Sequence, residues 1–235
     1  MEFNTKLVNK KEVAKDTMSF YFEKPEGFSY KAGQYIQMSL IDPPDTDDEG
    51  NKRFFSISAA PYEKDLMITT RLRDTAFKRV LRAQEAGYEV TARGPMGVFT
   101  LHEDASVPAV FLVGGIGITP FRSIIMQVTQ DKLPQKMTLF YSNHDKEDTA
   151  FYDELQNVAK MNSHFTFVPI MTKDETWQGE KEHISKEMIQ KYVPHFVNVI
   201  YYTAGPEAMV DTMRKLLKDS GIDDSKVKYE EFSGY

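Results

Sequence analysis

Residues 111–120, FLVGGIGITP, run from an apolar stretch into three glycines, Gly114, Gly115 and Gly117, and then into a helix start marked by Thr119 and Pro120. Glycine lets a backbone approach a ligand closely, and the unpaired N–H groups of a helix start attract an anion. The phosphates of a nucleotide are the chemistry such a turn serves. The fingerprint is partial, because Pro120 stands where the last glycine of GxGxxG would fall, and a plain strand-to-helix joint is an equal reading of the turn alone. Two further strand ends carry suitable groups: Ser142 and Asn143 offer hydroxyl and amide, and Gly205-Pro206 offers an open backbone. Ligands of open α/β sheets lie beyond the carboxyl ends of strands, so three such ends strengthen the nucleotide reading.

A second constellation is Arg53-Phe54-Phe55-Ser56. Strand alternation puts Arg53, Phe55 and Ile57 on one face and Phe54 on the other. Such a strand can present a charge to a phosphate and an aromatic surface to a flat ring, although packing is the commoner role of the pattern. Between residues 68 and 93, Arg71, Arg73, Lys78, Arg79, Arg82 and Arg93 outnumber Asp74, Glu85 and Glu89, which makes either an anion site or a solvated face. The acids gather elsewhere, in DPPDTDDE at 42–49. The histidines, five in number, lack ligand spacing and there is no cysteine, so no metal site, disulfide or cysteine-held cluster is expected.

The elements that must position these residues fall into two rhythms. MSFYFEK, QYIQMSLI, RFFSISA, DLMITTRLR and YEVTARG are short alternating runs separated by turn residues, which predicts antiparallel strands closing into a six-stranded β-barrel. Only 74–87 looks helical there, with Asp74 as cap and Gly87 as stop. Past residue 107, PAVFLVGG, KMTLFYSN, FTFVPIM and VNVIYYTAG alternate with helices expected near 119–131, 148–160, 184–191 and 206–219, and KVKYEEF ends the chain as a strand. That rhythm predicts a five- to six-stranded parallel α/β domain. The boundary is placed after residue 103, giving domains 1–103 and 104–235.

A chain of 235 residues with 41% hydrophobic and 27% charged residues is globular. The formal charge of −6 speaks against nucleic-acid binding. No apolar stretch is long enough to span a membrane and the N-terminus has no signal-peptide core, so a cytoplasmic protein is expected.

In order, Gly33-Gln34-Tyr35, Arg53-x-Phe55-Ser56, Thr69-Thr70-Arg71, Ala76-Phe77-Lys78, Gly94-Pro95-x-Gly97-x-Phe99, Gly114-Gly115-x-Gly117-x-Thr119-Pro120, Tyr141-Ser142-Asn143, Gly205-Pro206 and Glu231-x-x-Gly234-Tyr235 resemble the ferredoxin-NADP reductase superfamily over nearly the whole chain. The resemblance implies an FAD, with FMN the less expected flavin, held by Arg53, Phe54, Phe55, Ser56, Thr69, Thr70, Arg71, Ala76, Phe77 and Lys78. Arg53 would lie near the pyrophosphate, Phe55 against the ring or ribityl chain, and Ser56 near flavin N5 or O4. Gly114, Gly115, Gly117, Thr119, Pro120, Ser142, Asn143, Gly205 and Pro206 would hold NADH or NADPH. Ser56, Glu231 and Tyr235 would lie at the reaction centre, with Tyr235 or Phe232 covering the flavin. Hydride would pass from the nicotinamide to the flavin, then electrons to a carrier protein in trans, such as ferredoxin. The alternatives are a free-flavin or ferric-chelate reductase and an electron-transfer or regulatory subunit. Asp145 beside Ser142 and Asn143 disfavours an extra phosphate, which leans the coenzyme toward NADH. The sequence departs from the family pattern where Phe55 replaces a tyrosine, Ala204 a cysteine and Lys78 a small hydroxyl residue.

Overall fold

The computed structural model describes residues 1–232. Its first part contains β1 (Glu2–Ala14), β2 (Thr17–Phe22), β3 (Tyr35–Leu40), β4 (Lys52–Ser56), β5 (Leu66–Arg71), α1 (Ala76–Ala83) and β6 (Glu89–Met96). The strands form one antiparallel sheet in the order β4-β3-β6-β1-β2-β5. Its two edges curl together: Ser58 N–H, just past β4, donates to Met67 O of β5 at 2.7 Å. One-sided alternation of apolar residues explains the curl, since inward side chains such as Phe20, Ile36, Met38 and Val90 are all but fully buried. Where β2 and β5 pair, the buried hydroxyls of Ser19 and Thr69 satisfy one another at 2.8 Å.

Helix α1 starts and stops differently from expectation. Thr75, not Asp74, is its N-cap, accepting from Lys78 N–H, and it ends at Ala83 rather than running to Gly87. Asp74 lies one position too early to reach the first turn and pairs with Arg79 instead.

The second part contains β7 (Ala109–Gly114), α2 (Ile118–Gln130), β8 (Met137–Asn143), α3 (Tyr152–Met161), β9 (Phe165–Met171), α4 (Lys186–Tyr192), β10 (Ile200–Pro206), α5 (Glu207–Asp219) and β11 (Val227–Phe232). All five strands are parallel, in the order β11-β10-β7-β8-β9. Helices cover both faces, so β7 is a continuous apolar run. Phe111 and Val113 enter one core, and Val110 and Leu112 the other. Strand order reverses between β7 and β10, which opens a crevice at their carboxyl ends. Helix α3 begins four residues later than expected, because Asp145 caps the turn through Asp148 N–H (2.9 Å) and Phe151 is left-handed, with φ 62°.

The larger core runs without a break from the first sheet into the second. Phe99, on the connection between them, packs edge-on against Phe121 of α2 (5.5 Å) and Tyr202 of β10 (5.7 Å). A Cβ on Gly33 would lie 2.1 Å from Phe99 O, so only glycine, here with φ +98°, lets that connection pass. Arg122 of α2 bridges the same junction, donating to Glu63 (2.8 and 3.0 Å), Ser58 O (2.8 Å) and Glu154 of α3 (2.6 and 2.7 Å). Among the described residues no helix is long and apolar enough to cross a membrane.

Candidate functional site

A groove of about 510 Å³ opens where β4, the start of α1, the start of α2 and β11 meet. This volume suits a small organic ligand or cofactor. Of the residues the sequence singles out, Arg53, Phe54, Phe55, Ser56, Thr69, Lys78, Thr119, Glu231 and Phe232 line it. Alternation along β4 holds: Phe54 is 60% exposed and stands edge-on to Tyr35 (5.8 Å), while Phe55 is 5% exposed and rests on Phe77 (5.7 Å). Phe54 and Tyr35 therefore offer the larger aromatic surface, and Phe55 and Phe77 form the floor beneath. Lys78 is nearly buried; that burial, and then the positive charges of Arg73 and Arg53, lower its ammonium to about 8.

Arg53 is fully engaged by its own chain. Its guanidinium donates to the carbonyls of Glu49, Gly50 and Lys52, pairs with Asp47 (2.9 Å) and Glu49 (3.0 Å), and lies over the Phe77 ring at 5.4 Å. Asp47 Oδ2 also accepts from Ala76 N–H at the start of α1 (2.9 Å).

Thr70 points away from the groove, fully buried, its hydroxyl donating to Arg71 O (3.3 Å). Arg71 turns toward the second sheet: its guanidinium stands 3.6 Å from where a Cβ on Gly115 would be. The positive end of β5 thus faces the glycine turn rather than the groove floor.

That turn is shaped by close approach. Gly115 has φ +51°, and a Cβ on Gly117 would lie 2.1 Å from Ala204 O of β10, a backbone atom that cannot give way. The hydroxyl of Tyr141, on β8, donates to Gly115 O (2.9 Å) and holds the turn in place. Helix α2 starts without a side-chain cap, its Ile118 N–H bonded back to Gly115 O and Ile116 O, and Thr119, which donates to Ile116 O (3.2 Å), brings that start to the groove. Ser142 and Asn143 end β8, and Gly205 and Pro206 end β10, the strand beside β7.

On β11 the structure distinguishes two adjacent acids. Glu231 is exposed at the rim, whereas Glu230, which the motif spacing passes over, turns inward with Oε2 buried and no hydrogen-bond partner among the described residues. Burial without a partner pushes its carboxyl up to about 7. Period-two alternation counted back from Phe232 was the signal that could have found it, since it puts Glu230 and Phe232 on one face. Asp47 left no such signal, since its role comes from contacts across the fold. Gly234 and Tyr235 lie outside the described residues.

Residues 111–215 match the family described as "Oxidoreductase NAD-binding domain". The chain is similar to the glycine betaine monooxygenase reductase subunit of Pseudomonas aeruginosa, 24% identical over 222 residues, covering 92% of this chain and 60% of that protein. It is 25% identical over 223 residues to the NAD(P)H-flavin reductase of Aliivibrio fischeri, covering 92% and 91%. A ferredoxin NADP+ reductase from Neisseria gonorrhoeae, solved with bound FAD and NADP, shares the fold with a TM-score of 0.79 at 21% identity, covering 98% of both chains. Strand order and glycine turn agree with the oxidoreductase NAD-binding match at residues 111–215, and the chain as a whole shares the fold of that ferredoxin NADP+ reductase.

Proposed function

We propose that the chain is an NAD(P)H-dependent flavoprotein reductase, with residues 1–103 holding FAD and residues 104–235 presenting the nicotinamide nucleotide. One observation carries the reading: a single groove is lined at once by Phe54 and Ser56 of β4, Thr119 of the glycine-turn helix, and Glu230 and Phe232 of β11. A ring seated there lies where both halves of the chain can reach it. The residues suit a flavin, because Tyr35 and Phe54 supply flat apolar surface, Ser56 and Thr69 supply hydroxyls, and Arg53 with the α1 start supplies positive potential for phosphate.

When bound, the flavin supplies a hydride acceptor able to release electrons singly. The protein's own task is placement and exclusion of water. Gly115 and Gly117 let the nucleotide diphosphate approach α2, and Arg71 adds a charge at that turn. Glu230, held near neutrality, keeps or yields a proton at the inner wall, and Phe232 closes the groove beside it. The acids Asp145 and Asp148 after β8 disfavour the extra phosphate of NADPH, which supports NADH. Electrons then leave to a protein acceptor in trans, consistent with similarity to a monooxygenase reductase subunit.

Anaerobic addition of one equivalent of NADH or NADPH to the flavin-loaded protein tests this. The visible flavin band should bleach with NADH and more slowly with NADPH. A protein that takes up neither FAD nor FMN contradicts the proposal.

A further inference from the structure

The strongest anion cradle in the first part of the chain already holds an anion of the chain's own. Ala76 N–H at the start of α1 and the Arg53 guanidinium converge from two elements on one carboxylate, Asp47, each at 2.9 Å. Asp47 belongs to the β3–β4 connection, three of whose five acids reach the same corner: besides Asp47, Asp45 pairs with Arg79 (2.6 Å) and Glu49 with Arg53 (3.0 Å). None of residues 41–50 is buried, and 42–49 contributes only two prolines as apolar side chains. The loop is therefore fastened to α1 and β4 by charge rather than by a core, and a fastening of that kind yields to a stronger anion. The Arg53 guanidinium holds the Asp47 carboxyl below the usual carboxylate range, so it remains ionised at neutral pH.

We infer that the 42–50 loop is an anionic strap, in which Asp47 takes the place on Arg53 and the α1 start that a flavin phosphate would take, so that the chain discriminates among flavins by their phosphate tails. The inference rests on the flavin reading above. A phosphate and the Asp47 carboxylate cannot share the cradle, because like charges in contact repel. A phosphorylated flavin binds only as the strap opens, and its apparent affinity falls by the fraction of molecules in the open state. A flavin without phosphate has no quarrel with the strap. The same device makes the flavin exchangeable: Asp47 returns as the flavin leaves, which satisfies Arg53 and Ala76 in its absence.

The test is titration of the full chain, stripped of flavin, with FAD and with riboflavin, comparing the parent protein with Asp47→Asn by fluorescence quenching. Asparagine keeps the size and one acceptor but removes the charge. The expected result is at least about tenfold tighter FAD binding in the variant, with riboflavin affinity unchanged within about twofold. Unchanged or weaker FAD binding would overturn the inference, since Asp47 would then be ordering Arg53 for the phosphate instead of competing with it. Should the variant fold poorly, hydrogen exchange on the parent protein answers the same question. The Glu49 and Gly50 amides, which donate to Asp47 (3.2 and 2.8 Å), should exchange faster with FAD and not with riboflavin. Equal exchange with both flavins overturns the strap. If neither flavin binds either protein, the flavin reading itself falls, which is a distinct outcome.

Discussion

Glu230 is the side chain whose chemistry depends most on where it sits. Its carboxyl, raised by burial from an ordinary 4.5 to about 7, is neutral in the folded protein at pH values where the unfolded chain would ionise it. Folding therefore favours the protonated form: the contribution of this one carboxyl to stability is fully present below about pH 4.5, is lost as pH rises through about 7, and is absent above that. The loss is at most about 3 kcal/mol by the usual conversion of pKa shifts. Glu230→Gln should flatten the dependence in denaturant melts at pH 4.5 and 7.5, and should remove any limb near pH 7 from the rate of flavin reduction. A variant with the wild-type pH dependence would place the titration elsewhere. Gly117→Ala is the complementary change. Its Cβ would meet Ala204 O at 2.1 Å, backbone against backbone, so the turn must shift. A cost of about 1–3 kcal/mol is expected in thermal melts, together with weaker NAD(P)H binding.

The elements assign the charges more sharply than the residues do. β5 ends with Arg71 against the β7–α2 glycine turn, whereas Arg53 on β4 faces the start of α1. Two arginines on neighbouring parts of one sheet thus face different elements, and under the proposed function they would serve different anions. Arg71→Ala should raise KM for NAD(P)H about tenfold, the effect of one lost charge-assisted hydrogen bond, while flavin content per chain is unchanged. Loss of flavin with unaltered KM would move Arg71 to the flavin side. The turn after β8 makes a parallel prediction. With Asp145 committed to capping at Asp148 N–H, Asp145→Ser should leave the NADH constants near their starting values and narrow the gap to NADPH in steady-state assays.

Across the whole molecule, the continuous core means that the two sheets are not independent bodies joined by a tether. Phe99, 5% exposed, wedges between α2 and β10, and Arg122 ties α2 to the loop after β4 and to α3. Under the proposed function, hydride transfer requires a fixed distance between two ligands held by different sheets, and this junction would set it. Phe99→Ala should cost about 3–5 kcal/mol, the range for emptying a buried aromatic site. Near-UV circular dichroism and flavin release should report one coincident transition in the wild type and separated transitions in the variant. Coincident transitions in both would mean that other contacts hold the sheets in register.

What the sequence determined by itself was whatever neighbours in the chain encode. Period-two alternation marked the first sheet and the opposite faces of Phe54 and Phe55, and continuous apolar runs broken by glycine marked the parallel strands and the turn at Gly114–Gly117. Local capping was legible only to within a residue or a turn, as Thr75 for Asp74 and the late start of α3 show, because competing acceptors lie side by side in sequence. Tertiary structure alone decided which charges meet. Asp47 reaches Ala76 across 29 positions, and Arg71 arrives at Gly115 from the other sheet. The reason is physical: periodicity is a property of consecutive residues, whereas the fields that hold a phosphate or shift a proton arise where strand order and loop closure bring distant residues together.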